Sequence, residues 1–365
     1  MNPRIAVVGA GPGGLACARV LQRHDRTVTV YEREPAADSR DQGGTLDMHP
    51  GTGQLGLDRA GLLSRWRELA RPEGAEWRRV DPYGGGLVAR DVPDDDHDDK
   101  PEIDRGQLRG LLLDSLAPGT VRWDSGVDTT ERTGDGWRLR LTDGTSAYAD
   151  VVVGADGAWS RIRPALSAAT PRHTGVTFVD ATLADADTRH PALADLVGNG
   201  SMVAREPGRG LFAQRCADGT IRLYAALRVA EDWHRALEFA DSAAVRRHLL
   251  GAYPGWHDRL LDLLRQADDL TPRPLYALPA GHRWPRVPGM TLLGDAAHLM
   301  PPLGLGANLA ILDGSDLALA LATEPTVADA LRAYEEVMLP RGADAAARCL
   351  TGLDHLLPPP ARLTA

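Results

Sequence analysis

Three places along the chain set glycines beside carboxylates in a way that suits an elongated, phosphate-bearing ligand. The first is Gly9, Gly11 and Gly14, with Pro12 and Gly13 between them, followed at the end of the next apolar run by Glu32. In such a triplet the first glycine permits a tight turn, the second leaves room for a pyrophosphate and the third lets helix and strand pack closely. A helix opening there turns unpaired N–H groups and its positive dipole end toward phosphate charge. Glu32 stands where a carboxylate can accept hydrogen bonds from both hydroxyls of an adenosine ribose. The second place is Asp156-Gly157, after three valines, and the third is Gly294-Asp295, followed by Pro301-Pro302 and then Gly304, Gly306, Ala307 and Asn308.

The elements that must position these residues follow from local pattern. Apolar runs at residues 5–8 and 28–31 flank an Ala/Leu-rich helical segment and make a βαβ unit. The valines at 151–153 read as a buried parallel strand ending at a ligand, with a helix starting at Ser160-Arg161. Residues 290–293 repeat that logic, and the loop after them delivers a helix over 306–322 whose N-terminus faces the site. Residues 55–69 have helical spacing, and Asp104 is placed to cap a helix carrying Arg105 and Arg109 one turn apart. That pair suits phosphate or a solvated edge. From 174 to 279 the texture is alternating, with Asp218-Gly219 as one hairpin turn, and Asp143-Gly144 marks another. Two helical segments follow, near 245–251 and 256–266, and this insert reads as a lobe covering the dinucleotide site. The tail, 326–357, reads as a helix broken near Pro340-Arg341-Gly342.

Other features have plainer readings. Gly43-Gly44 is by itself an ordinary turn into a strand, and the run Asp94-Asp95-Asp96-His97-Asp98-Asp99 is a solvated loop rather than a metal site. His298 reads as a packed histidine at a helix start rather than a base. The net charge of −9 without a basic block argues against nucleic acid, and Lys100, the one lysine, leaves no Schiff-base or P-loop chemistry. Cys17, Cys216 and Cys349 show no metal-ligand spacing. No apolar run spans a bilayer, so the expectation is a cytoplasmic monomer with no membrane partner.

Taken together, the glycine triplet with Glu32, Asp156-Gly157 and Gly294-Asp295 resemble the class A flavoprotein aromatic hydroxylases. Gly43-Gly44-Thr45-Leu46-Asp47, Leu108-Arg109 and the run from Gly294 to Pro302 look like the tetracycline-inactivating monooxygenases of the TetX type. The resemblance implies an α/β fold: a Rossmann-like, GR2-type FAD-binding domain over 1–76, 102–168 and 282–325, interleaved with an antiparallel β-sheet substrate-binding domain over 77–101 and 169–281, and a C-terminal helix over 326–365. It implies FAD held by the Gly9–Gly14 loop, Glu32, Arg33, Asp47, Arg109, Asp156, Gly294, Asp295 and the Gly304–Asn308 turn. Arg40 becomes an NADPH contact, Gly43-Gly44 part of the flavin wall, and Glu206 a substrate contact.

The implied activity is an NAD(P)H- and O2-consuming hydroxylation of a small polycyclic, polyketide-like molecule through a flavin C4a-hydroperoxide, in antibiotic inactivation or natural-product tailoring. With one dinucleotide fingerprint assigned to FAD, the nicotinamide cofactor visits transiently. Leu303-Gly304-Leu305-Gly306 is one residue shorter than the family loop and lacks its aromatic, which alters the flavin surroundings. Two other readings stay open at this point: an FAD-containing enzyme of non-redox cyclisation or rearrangement, and a flavin-binding regulatory protein without turnover.

Overall fold

The computed structural model describes residues 3–92, 100–134 and 136–360. The strand Ile5–Val8, buried at every residue, lies at the centre of a five-stranded parallel sheet. Its neighbours are Val151–Gly154 and then Met290–Leu292 on one side, and Val28–Tyr31 and then Val121–Arg122 on the other. Continuous apolar strands are what a parallel sheet covered on both faces requires. Val8 pairs with Gly154 and Gly154 with Leu292, so three strands end level. The turns at Gly9, Asp156 and Gly294 therefore leave the sheet side by side, where open α/β sheets bind ligands.

The helix Pro12–Arg23 crosses the helix Gly306–Thr323 at Gly13 and Gly314. A Cβ on Gly314 would lie 2.2 Å from the Gly13 carbonyl oxygen, and one on Gly13 would lie 2.6 Å from that of Ala310. Backbones this close leave no room for a methyl group on either side. The crossing locks the second helix beside the glycine turn.

A seven-stranded sheet makes the other layer, in the order Asp268–Ala277, Arg172–Leu183, Ile221–Arg228, Arg209–Arg215, Ser201–Glu206, Trp77–Val80, Leu87–Asp91. Alternate side chains of a strand face opposite ways. Val179, Ala181, Leu211, Ala213, Leu223 and Ala225 bury against the helices Pro191–Val197, Ser242–Ala252 and Asp258–Gln266 in a core of their own. Phe178, Asp180, Phe212, Gln214, Arg222 and Tyr224 consequently face the other way. A pair of short strands, Thr45–Asp47 and Glu102–Asp104, joins antiparallel near that face.

Several local expectations change in the fold. Residues 55–69 form two helices, Leu55–Arg59 and Leu63–Leu69, because Gly61 turns the chain at φ +70°. Asp104 sits at the helix start but caps nothing there; its carboxylate accepts the Ala217 N–H at 3.0 Å instead. No helix starts at Ser160; the segment makes a turn and a short 3-10 stretch, Arg163–Ala165. The tail does not break at Pro340: Val327–Leu356 is one helix. Proline costs it one backbone bond, while Glu335 bound to Trp284 and Thr291, and Arg341 bound to Asp313, pin it on either side of the proline. The strand Asp268–Ala277 carries Pro272 and Pro274, which a sheet tolerates at its edge. The acidic run at 94–99 lies outside the described residues. Among those described, no helix is long and apolar enough to cross a membrane.

Candidate cofactor and active site

Gly9 takes φ +106° and donates its N–H to the Tyr31 carbonyl at 2.8 Å, which ties the glycine turn to the second strand. A Cβ on Gly14 would strike the Gly9 carbonyl oxygen at 2.2 Å, whereas one on Gly11 would meet nothing within 4 Å. The open space thus lies at Gly11, in front of the first N–H groups of a helix that opens with Pro12. Buried Glu32 closes one end. Its Oε2 accepts the Ala10 N–H at 2.6 Å and its Oε1 accepts the Glu34 N–H at 3.0 Å, and each oxygen keeps a further lone pair. Arg33, next to it, is exposed.

Arg109, expected at the cofactor, also binds the protein's own oxygens. Its Nε donates to the Ala10 carbonyl at 3.2 Å, Nη1 to that of Ala37 at 2.8 Å and Nη2 to Glu34 at 2.9 Å, with Trp123 under the guanidinium. Every nitrogen is engaged in bracing the glycine turn from behind. Arg40 pairs with the same Glu34 from the surface. Burial opposes the charge on Glu34, but the two arginines hold its carboxyl below the usual range. Arg105, one turn before Arg109, is exposed and makes no hydrogen bond or ion pair through its guanidinium among the described residues. Its charge instead acts on Asp295, Glu102 and Tyr224. The arginine pair noted in the sequence therefore divides into one brace and one free cation.

Asp156 turns Oδ2 back to the N–H of Arg161 at 2.7 Å, leaving Oδ1 buried without a partner among the described residues. Burial pushes this carboxyl pKa up. Asp295 is half-buried, its pKa also raised by burial, and its carboxylate has no hydrogen-bond donor among the described residues. A Cβ on Gly306 would stand 3.8 Å from Asp295 Oδ1, and one on Gly304 3.2 Å from Asp47 Oδ1, so both carboxylates border the turn into the helix Gly306–Thr323. Ala307 is half-buried in the same turn. Asn308 differs from the expected ligand contact: fully buried, its amide donates to the carbonyls of Asp47 at 2.7 Å and Gly304 at 2.9 Å and accepts the His49 N–H at 2.9 Å. It staples the two sides of the turn.

Glu206 is not a substrate contact in this fold. It shares strand parity with Met202 and Ala204, which pack on the helices, and so points away from the face bearing Tyr224. There Trp256, Tyr83 and Arg209 saturate its carboxylate. Two polar groups that the sequence reading passed over occupy the opposite face. A Cβ on Gly44 would lie 2.7 Å from Gln214 Oε1 and 3.0 Å from the Tyr224 hydroxyl. Their signal was the alternation of their strands, which needs the register to be read.

Residues 3–250 and 282–348 match the FAD binding domain family. The chain belongs to that family. It is 34% identical to the 3-amino-4-hydroxybenzoate 2-monooxygenase PtmB3 of Streptomyces platensis, over 93% of this chain and 85% of that one. Its fold is similar to that of Klebsiella pneumoniae HpxO complexed with FAD and uric acid, with a TM-score of 0.82 at 21% identity over 97% of this chain and 89% of that one. The tetracycline destructase Tet(51) gives a TM-score of 0.73 at 19% identity, over 98% of this chain and 92% of that one. At such identities these two likenesses speak for fold alone. The protein is an FAD-dependent monooxygenase of the aromatic-hydroxylase fold.

The residues fit that cofactor. The space in front of Gly11 suits a pyrophosphate, and the free oxygens of Asp156 and Asp295 are acceptors awaiting hydroxyl donors.

Proposed function

We propose that the protein uses NAD(P)H and O2 to hydroxylate a planar, uncharged polycyclic phenol or enol of polyketide type. Glu32, the Gly9–Gly14 turn, Arg105 and Asp295 would hold FAD, and Gly43-Gly44, Asp47 and the Gly304–Ala307 turn would border its ring system. Bound FAD supplies the activation of O2 and the delivery of one oxygen atom. The chain's own residues bind, orient and exclude water. The described residues of 77–101 and 169–281 form the substrate side, in keeping with the separate hydrophobic core there.

The observation that carries this reading is the convergence of Gln214 and Tyr224 on Gly44. Neither side chain has a hydrogen-bond partner among the described residues. Burial raises the Tyr224 pKa, so the phenol stays neutral and can donate. Phe178 and Phe212 stack beside it at 5.9 Å between ring centres, a flat apolar wall for a flat substrate. The nearby guanidinium of Arg222 is spent: Asp180 holds it bidentately at 2.6 and 2.7 Å, and Asp41 takes its other side. With Arg273 also on Asp180, the two cations balance the two carboxylates. An uncharged substrate is what such a wall favours once Arg105, the remaining cation near Tyr224, is engaged by the cofactor phosphates.

Substrate-stimulated NADPH oxidation, measured across tetracyclines, other polycyclic phenols and hydroxybenzoates, tests the reading. Stimulation by the polycyclic phenols, reduced in Tyr224→Phe, is expected. Preference for hydroxybenzoates overturns the neutral-substrate assignment, and conversion without NADPH consumption points to non-redox rearrangement instead.

A further inference from the structure

A buried charge pair lies behind the turn that carries Asp295. His298 and Asp313 are 5% and 1% exposed, and His298 Nε2 donates to Asp313 Oδ2 at 2.6 Å. The same oxygen accepts the N–H of Gly294, the residue before Asp295, at 3.2 Å. The other Asp313 oxygen takes Arg341 at 2.8 Å, and Arg341 also reaches Asp316 at 2.7 Å, which pairs in turn with Arg59. Gly342 presses so closely on the imidazole that a Cβ there would come within 2.8 Å of its Cδ2. The Gly294 turn, the helix Gly306–Thr323 and the C-terminal helix thus meet in one cluster. With Asp295 counted, His298, Arg341, Arg59 and the Arg105 that acts on Asp295 face Asp313, Asp316 and Asp295.

We propose that His298 is a positioning residue for FAD: as an imidazolium bound through Nε2 to Asp313, with Nδ1 buried and unpartnered among the described residues, it keeps Asp295 ionised as an acceptor for cofactor hydroxyls and holds the Gly294 turn in place. The inference rests on the assignment of Asp295 made above. Burial opposes the His298 charge, but Asp313 and Asp295 outweigh it and raise its pKa. Burial likewise opposes the Asp313 charge, yet His298 and Arg341 hold that carboxyl low. Burial raises the Asp295 pKa, with His298 and Arg105 pulling the other way. Apart from Arg105, the remaining neighbours do not supply the charge. His282, bound to the Ala297 carbonyl at 2.6 Å, has its pKa lowered by burial, and Arg163 spends Nη1 on the Ala296 carbonyl at 3.1 Å.

The test is the FAD dissociation constant of the apoprotein, read by flavin fluorescence from about pH 6, near the ordinary histidine pKa, up to about pH 9.5, the side toward which the His298 pKa is raised. Wild type, His298→Asn and Asp295→Asn are compared. The wild type is expected to lose affinity toward alkaline pH, as His298 gives up its proton. His298→Asn is expected to bind about tenfold more weakly, the ratio carried by one pKa unit of coupling, and to lose affinity toward acid pH, as an uncompensated Asp295 takes up a proton. Asp295→Asn is expected to bind weakly with neither slope. Parallel profiles for wild type and His298→Asn, with weak binding in Asp295→Asn, overturn the inference alone. Undiminished binding in Asp295→Asn overturns the site assignment and the inference with it. Should His298→Asn fail to fold, a flat wild-type profile by itself overturns the inference.

Discussion

Glu32 and Ala10, 22 residues apart in sequence, are joined by a 2.6 Å hydrogen bond from the Ala10 N–H to Glu32 Oε2. The acid at the end of the second strand therefore orders the glycine turn as well as presenting oxygens to a ribose. Glu32→Gln keeps the size but can accept through one oxygen only, leaving one of two N–H groups unpaired. Leaving such a group unsatisfied costs about 1–3 kcal/mol, so FAD affinity is expected to fall at least about tenfold. Titration of apoprotein with FAD checks it, and unchanged affinity would remove Glu32 from the cofactor site.

The arginine pair separates bracing from binding. Arg109→Ala is expected to lower both the unfolding temperature and FAD retention, because three hydrogen bonds behind the glycine turn are lost. Arg105→Ala leaves the unfolding temperature of apoprotein where it was and weakens FAD binding. Thermal melts of apoprotein, paired with the absorbance of the purified holoenzyme, distinguish the two. Equal melting losses would contradict the division.

Glu206→Gln leaves substrate kinetics unchanged and lowers stability, since the carboxylate holds Trp256, Tyr83 and Arg209 on the helix side of the sheet. A loss of about 1–3 kcal/mol is expected for breaking hydrogen bonds to a charged group. Denaturant melts give the stability. A raised KM for substrate would restore Glu206 to the active site.

Glu102 makes stability depend on pH. It is hydrogen-bonded to Thr45 between the two short strands, and burial pushes its pKa from 4.5 up to about 7. The folded state keeps a proton that the unfolded chain releases, so stability falls as pH rises through that window and the loss is complete above the folded value. Glu102→Gln is expected to remove this decline. Urea midpoints measured across the window check it, and identical slopes in the two proteins would show that Glu102 titrates normally.

How far the protein could be read from its sequence depends on how local each feature is. The three strand-end signals at Gly9, Asp156 and Gly294 rest on apolar runs that end in glycine or Gly-Asp, and the parallel sheet brings them level as those runs imply. The helix after Gly306 and the hairpin turns at Gly144 and Gly219 are equally local, because each is specified within a few residues. The strand Asp268–Ala277 was hidden by Pro272 and Pro274, which only its edge position makes acceptable. The unbroken C-terminal helix was hidden by Pro340, whose cost is met by contacts from distant residues.

The sequence by itself determined where phosphate-facing turns and ribose-facing acids can occur, because turn sterics and strand ends are short-range properties. Only the tertiary structure decided which polar groups remain available. Asn308 and Glu206 are consumed by partners distant in sequence, and Arg109 is held by three such bonds. The side chains of Arg105, Asp295, Gln214 and Tyr224 have no hydrogen-bond partner among the described residues, and Gln214 and Tyr224 are turned toward Gly44. Availability is set by strand register and by which segment crosses a given side chain, and neither is written in any single stretch of the chain.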